Sequence, residues 1–270
     1  MKGNFFIRTI AGAVFTATVI CSALLGEKYF ALLFLFFAVV GLYEFYGLHA
    51  ASIRGVTKMF GLMMGLFIYV LIFGVFNQYI GARWFWLLGI SLPVWACIEL
   101  LRGGAATAQK MSLTVFGWIY VILPFALLNV MAHPAVAFNH EVLIGTFVIL
   151  WANDTGAYLI GRWLGKHTLM PSVSPNKTWE GLAGGVLLAM VVGFTLSQFF
   201  SSLNTEQWLF ISVIIAIGGN LGDLLESKFK RDSDAKDSGQ LIPGHGGVLD
   251  RFDGLLICAP IITVYIQLVS

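Results

Sequence analysis

Residues 218–253 read GGNLGDLLESKFKRDSDAKDSGQLIPGHGGVLDRFD and gather the reactive side chains of this chain. Asp223 and Glu226 stand three apart, so on a helix they share a face. Asp250 and Asp253 repeat that spacing at the start of the next apolar stretch. Two carboxylate pairs at facing helix ends would cradle a hard divalent cation through oxygen ligands. The alternative is plain helix-end charge. Asp250 and Asp253 suit a helix N-terminus. Asp223, at an expected helix C-terminus, does not, which favours a ligand role.

Between the pairs, Pro243-Gly244-His245-Gly246-Gly247 sets three glycines around one histidine. Glycines let backbone N–H groups turn toward an anion. The same stretch carries Lys228, Lys230, Arg231, Lys236 and Arg251, which either hold phosphates or mark the inner side of a membrane. Residues 227–253 hold five cations and five aspartates, and adding Asp223 and Glu226 leaves a net charge of −2. A polyphosphate would be repelled by that set unaided. One or two Mg²⁺ ions invert the sign. Metal-dependent phosphate chemistry is therefore expected.

A second element is expected to close the site. In Ser174-Pro175-Asn176-Lys177-Thr178-Trp179-Glu180-Gly181, Ser174 can cap a helix with Pro175 at its first position. A helix N-terminus beside Lys177 is an anion site, or simply an ordinary capped start. Asn153, Asp154, Thr155 and Tyr158 form a polar cluster inside an apolar stretch. Asp154 should face the bundle interior, as a further metal ligand or as part of a polar network. Glu44 and Glu99 also lie within apolar stretches, where a functional role and a helix-end or pairing role stand equal.

Transmembrane helices must position all of these groups. Of 270 residues, 58% are hydrophobic and 11% charged, with a mean hydropathy of +0.85. A soluble domain is about half apolar and a quarter charged. Disorder, a collagen-like fibre and a secreted disulfide scaffold are excluded. A net charge of +2 without a basic tract argues against nucleic acid as a partner. Cys21, Cys97 and Cys258 sit in apolar runs and read as buried hydrophobes.

Nine stretches approach the roughly 20 apolar residues a span needs: 8–25, 29–48, 59–77, 84–101, 112–132, 142–164, 181–201, 207–225 and 252–269. The fold class is thus all-α and polytopic. Residues 8–25 read as a retained first helix rather than a cleaved signal, since another span follows at once. With the N-terminus in the cytoplasm, 14 of the 16 Lys and Arg residues fall inside, and only Lys28 and Arg83 outside. This positive-inside bias puts the C-terminus outside. Residues 1–140 read as a scaffold and 141–270 as the working part, with inner loops 165–180 and 226–251. Gly218-Gly219-x-x-Gly222 and similar pairs allow close helix approach, which speaks to packing.

The pattern Ser227-x-Phe229-Lys230-Arg231-x4-Lys236-Asp237-x-Gly239-x2-Ile242-Pro243-x-His245-Gly246-Gly247-x2-Asp250-Arg251-x-Asp253 resembles the signature of phosphatidate cytidylyltransferases, also called CDP-diacylglycerol synthases. Gly222-Asp223-x-x-Glu226-Ser227, Ser174-Pro175-x-Lys177-Thr178 and the Trp151–Tyr158 cluster resemble it too. The likeness covers roughly residues 150–270; earlier residues match only as apolar spans.

The resemblance implies Mg²⁺-dependent cytidylyl transfer from CTP to phosphatidic acid by an integral, homodimeric membrane enzyme of phospholipid biosynthesis. A bacterial inner membrane is expected, with the site facing the cytoplasm. It implies metal roles for Asp223 and Asp250; Asp253, Glu226 and Asp154 join them as candidates. The expected catalytic set is Asp223, Asp250, Lys236, Asp237, His245 and Arg251. Substrate contacts are expected from Ser174, Lys177, Thr178, Ser227, Lys230, Arg231, Gly246 and Gly247. His245 would assist the departing pyrophosphate or shape its loop. A second cation, K⁺ or Mg²⁺, is left open. The competing readings are an ion-coupled transporter and another membrane lipid kinase or phosphotransferase. The absence of a repeat between the halves opposes the transporter.

Overall fold

The computed structural model describes residues 2–102, 106–134, 137–235, 237–239, 241 and 246–269, with side chains from residue 9 onward. The order is α1 (Lys2–Leu25), α2 (Glu27–Leu48), α3 (Gly55–Phe76), α4 (Trp86–Leu101), α5 (Thr107–Gly117) and α6 (Leu123–Met131). Then come α7 (His140–Leu164), β1 (Thr168–Met170), β2 (Ser174–Thr178), α8 (Trp179–Phe199), α9 (Thr205–Asp232) and α10 (Leu249–Val269). A π-helical turn at Trp118–Ile122 joins α5 to α6, so Thr107–Met131 forms one span. Pro124, which cannot donate a backbone hydrogen bond, lies just beyond that turn.

Among the described residues, eight spans are long and apolar enough to cross a membrane. Helix α1 adds a further apolar stretch, Thr9–Leu25. The architecture is that of an all-α polytopic membrane protein, because in hydrocarbon every backbone group must be satisfied within its own helix. Large apolar side chains such as Trp86, Leu101, Trp163 and Phe199 point outward. The buried core runs without a break from Val19 to Ile266, across both halves of the chain.

Local signals fix the helix ends that matter to the site. The Asn204 side chain accepts the Gln207 N–H, and the Gln207 side chain returns the bond, starting α9. Thr178 Oγ1 accepts the Gly181 N–H and starts α8. The expected cap at Ser174 is therefore corrected. Ser174 and Pro175 lie in β2, which pairs antiparallel with β1, and the helix begins only at Trp179. Pairing of Thr168 with Thr178 holds residues 174–178 extended until the threonine hydroxyl can take over the first free N–H.

Helix α9 also runs seven residues past the expected end of its span, to Asp232. Ser227, Lys228, Lys230 and Arg231 are helical, and the expected loop 226–251 is shorter. Asp223 sits well inside the helix rather than at its C-terminus. The basic residues Lys230 and Arg231 suit the last turn electrostatically, which explains the extension.

Candidate active site

Asp154 on α7, Lys177 on β2, Asn220 and Asp223 on α9, and Asp250, Arg251 and Asp253 on α10 line one cavity of about 160 Å³. A neighbouring space of about 190 Å³ shares Asp154, Asp250, Arg251 and Asp253, and reaches Gly12 and Phe15 of α1. Another, of about 510 Å³, shares Asp154, Lys177, Asn220 and Asp223, and extends past Arg162, Asn176 and Thr178. Four carboxylates and two cations thus meet where these spaces join.

The convergence of α9 and α10 depends on missing side chains. A Cβ on Gly222 would lie 2.8 Å from Gly254 Cα and 2.8 Å from the Asp253 carbonyl carbon. Backbone meets backbone there, at Asp253 itself and one residue from Asp223. Phe252 anchors the same turn from the other side. Its ring lies 5.1 Å from Phe125, 5.2 Å from Phe37, 5.4 Å from Phe15 and 5.7 Å from Phe34. Such aromatic burial fixes the first turn of α10 against the N-terminal helices.

Around the cavity, Lys177 Nζ forms an ion pair with Asp223 Oδ2 at 2.5 Å. Ser227 Oγ donates to Asp223 Oδ1 at 3.3 Å. Asp253 Oδ1 accepts the Gly254 N–H at 2.8 Å, and the Asn153 amide donates to Asp154 at 3.4 Å. Asp154, Asp223 and Asp253 line the same cavity, where their like charges repel one another. An all-oxygen donor set of this charge fits a hard divalent cation. Among the described residues, no three His, Cys, Asp or Glu side chains are already gathered at ligand spacing.

Compared with known protein families, residues 6–269 match the cytidylyltransferase family. The chain belongs to that family. It is similar to a protein named phosphatidate cytidylyltransferase in Staphylococcus haemolyticus (strain JCSC1435), 46% identical over 127 residues, which are 46% of this chain and 48% of the relative. It is similar to one of the same name in Staphylococcus epidermidis (strain ATCC 12228 / FDA PCI 1200), 45% identical over 124 residues, 45% of this chain and 47% of the relative. A third, in Staphylococcus aureus (strain COL), is 45% identical over 127 residues, 46% of this chain and 48% of the relative. The chain spans about half the length of the curated relatives it matches.

In this chain a second charged cluster lies beside the cavity. Lys230 Nζ sits 2.6 Å from Glu226 Oε2 and 2.7 Å from Asp250 Oδ1. Asp250 Oδ2 accepts the Ser238 N–H at 3.0 Å, the Ser238 hydroxyl at 2.9 Å and the Gly247 N–H at 2.7 Å. Both oxygens of Asp250 are therefore bonded within the protein, although Asp250 also borders the cavity. Glu226 is buried and lines none of the three spaces. Lys230 is likewise taken up by the two carboxylates.

In the described part of the glycine-rich loop, Gly246 and Gly247 pack against the carboxylate of Asp250. Gly246 has φ +81°, a region open to glycine, and a Cβ there would meet Asp250 Oδ2 at 2.5 Å. The N–H of Gly247 is taken by Asp250. Arg231 and Asp237 are exposed, Ser174 is half-buried, and none of these three lines the three spaces. Lys236 and His245 lie outside the described residues. Asn220 and Arg162 join the cavity walls without having been singled out as site residues. Asn220 stood three residues before Asp223 in a glycine-rich turn of helix, and that spacing was its available signal.

Proposed function

We propose that this chain transfers the cytidylyl group of CTP to phosphatidic acid, giving CDP-diacylglycerol and pyrophosphate. The observation that carries this reading is the meeting of Asp154, Asp223, Asp250 and Asp253 with Lys177 and Arg251 at one cavity inside an apolar helix bundle. The names of the relatives and the family of the chain support it.

A phosphomonoester oxygen of phosphatidic acid attacks the α-phosphorus of CTP in line. The bond from that phosphorus to the β-phosphate oxygen breaks, and pyrophosphate leaves. A phosphomonoester is already anionic near neutral pH, so the protein needs no strong base. Its work is to bring two anions together and offset their charge. Lys177 and Arg251, at the cavity wall, face the phosphates. Thr178 and the start of α8 offer further polar contacts in the larger space. Asp223, Asp253 and Asp154 are the residues that would hold Mg²⁺, with Asp250 in reach at the wall. Mg²⁺ bound there supplies neutralisation of the phosphate oxygens and of the leaving pyrophosphate. A second cation, K⁺ or Mg²⁺, is compatible with four carboxylates.

The lipid bilayer supplies one substrate. Acyl chains stay in lipid while the head group meets CTP at the cytoplasmic side, a reading that the positive-inside pattern supports. The N-terminus then lies in the cytoplasm, the C-terminus outside, and the protein sits in a bacterial inner membrane as a homodimer. Residues 141–270 supply the chemistry and residues 1–140 the support.

The test is pyrophosphate release from CTP by the purified chain. It should require both added phosphatidic acid and Mg²⁺, and ATP should not replace CTP. Release that ignores phosphatidic acid would sink the proposal.

A further inference from the structure

Glu44 lies in α2, within an apolar span, and is only 7% exposed. Its Oε1 accepts the Val248 N–H at 3.1 Å. Its Oε2 accepts the Leu249 N–H at 3.0 Å and the Ser238 hydroxyl at 3.3 Å. Leu249 opens α10, and the first N–H groups of a helix have no acceptor within it. They carry the positive end of the helix dipole, which a carboxylate stabilises. A glutamate some 200 positions earlier therefore caps α10 from another helix.

The loop is shaped to receive this side chain. A Cβ on Gly239 would lie 2.6 Å from the Glu44 carboxyl carbon and 3.0 Å from its Cγ. A Cβ on Gly247 would lie 2.5 Å from Glu44 Oε2. The two glycines leave the carboxylate its seat. Ser238 is shared between Glu44 and Asp250, so the cap and the Asp250 cluster form one network. Arg251 and Asp253, which line the cavity, follow two and four residues after Leu249. Glu44 itself lines none of the three spaces.

We propose that Glu44 is a positioning residue. It holds the first turn of α10, and with it Arg251 and Asp253, where cytidylyl transfer needs them. This rests on the reaction proposed above. Glu99 is the natural comparison. It is another buried carboxylate within a span, but its partners are the Thr57 hydroxyl at 2.5 Å and Arg102 at 2.9 Å, far from α10 in the chain.

The experiment compares the full chain with its Glu44→Gln, Glu44→Asp, Gly239→Ala and Glu99→Gln variants in detergent. Glu44→Gln should lower kcat roughly ten- to a hundred-fold, as a small misplacement of reacting groups does. KM for CTP should change less than kcat, because Glu44 does not border the cavity. Hydrogen exchange at the Val248 and Leu249 amides should rise at least roughly ten-fold, while the unfolding midpoint stays close to that of the parent. Glu44→Asp should restore part of kcat, and Glu99→Gln should keep it. A near-parental kcat or unchanged exchange in Glu44→Gln overturns the proposal. So does an equal loss of kcat in Glu99→Gln. Should Glu44→Gln fail to fold, Gly239→Ala decides by the same readouts, since it displaces the carboxylate without removing it. A parent chain with no phosphatidate-dependent turnover overturns the reaction and the positioning role together. The exchange data then report separately whether Glu44 caps α10.

Discussion

Lys177 of β2 and Asp223 of α9 form an ion pair at 2.5 Å, and the same ammonium reaches the Asn220 carbonyl at 3.5 Å. This contact fastens the short hairpin after α7 to the wall of the cavity. Both side chains keep partial access to solvent, 21% for the lysine and 41% for the aspartate. The pair is therefore a weak contributor to stability and a strong one to the local field. Lys177→Met should leave the fold intact and cut turnover by a factor on the order of 100, as loss of one charge-stabilising group does. Lys177→Arg should recover part of it. Steady-state rates with CTP and phosphatidic acid, beside thermal unfolding, separate the two effects.

Gly222 makes a different prediction, because it acts through packing. Gly222→Ala forces α9 and α10 apart at a backbone contact that cannot yield by a rotamer change. Overpacking of this kind costs about 1–3 kcal/mol. Since Asp223 adjoins the contact and Asp253 is part of it, turnover should fall as well. Stability and rate should be lost together here, unlike in Lys177→Met. A Gly222→Ala chain with parental activity would show that the helix separation does not set the site.

The Glu226–Lys230–Asp250 cluster predicts a large effect on stability. The Lys230 side chain is 16% exposed and its partners 2% and 7%. Lys230→Met leaves two buried carboxylates without their cation, a change worth about 3–5 kcal/mol. Lys228 and Asp232 form a like-spaced pair on the same helix, exposed at 55% and 53%. An exposed pair of this kind contributes about 0.3–0.5 kcal/mol. Lys228→Met should thus be nearly silent in the same unfolding assay.

Metal binding can be read without turnover. If Mg²⁺ binds only the folded chain, a hundredfold excess over Kd adds about 2.7 kcal/mol of stability. The unfolding midpoint of the parent should therefore climb with Mg²⁺ and drop back on chelation. Asp223→Asn should abolish both that climb and the turnover. A parental midpoint indifferent to Mg²⁺ would remove the metal from this cavity.

The membrane architecture was legible in the amino-acid order, because lipid imposes a length and a composition that no soluble fold requires. Expected starts at 29, 142, 181 and 207 fall two residues from the observed starts at Glu27, His140, Trp179 and Thr205. The family likeness was legible for the same reason that motifs are: its residues are close in sequence. The caps and the ends of α8 and α9 were less so. Hairpin pairing and the run of α9 to Asp232 depend on neighbours that sequence spacing does not reveal.

Only the tertiary structure decided which carboxylate faces what. Asp223 and Glu226 share a helix face by spacing, yet one borders the cavity and the other is buried against Lys230. Three residues turn a helix by less than a full circle, and the approach of α10 divides that remaining angle between cleft and interface. The glycine-rich loop offered N–H groups to an anion, and the fold brought Asp250 to that of Gly247 and Glu44 to those of the next two residues, Val248 and Leu249. Local sequence determines that a chain can cross a membrane and can present donors and acceptors. Which of them meet is settled by contacts between residues as remote as Glu44 and Leu249, which no local spacing encodes.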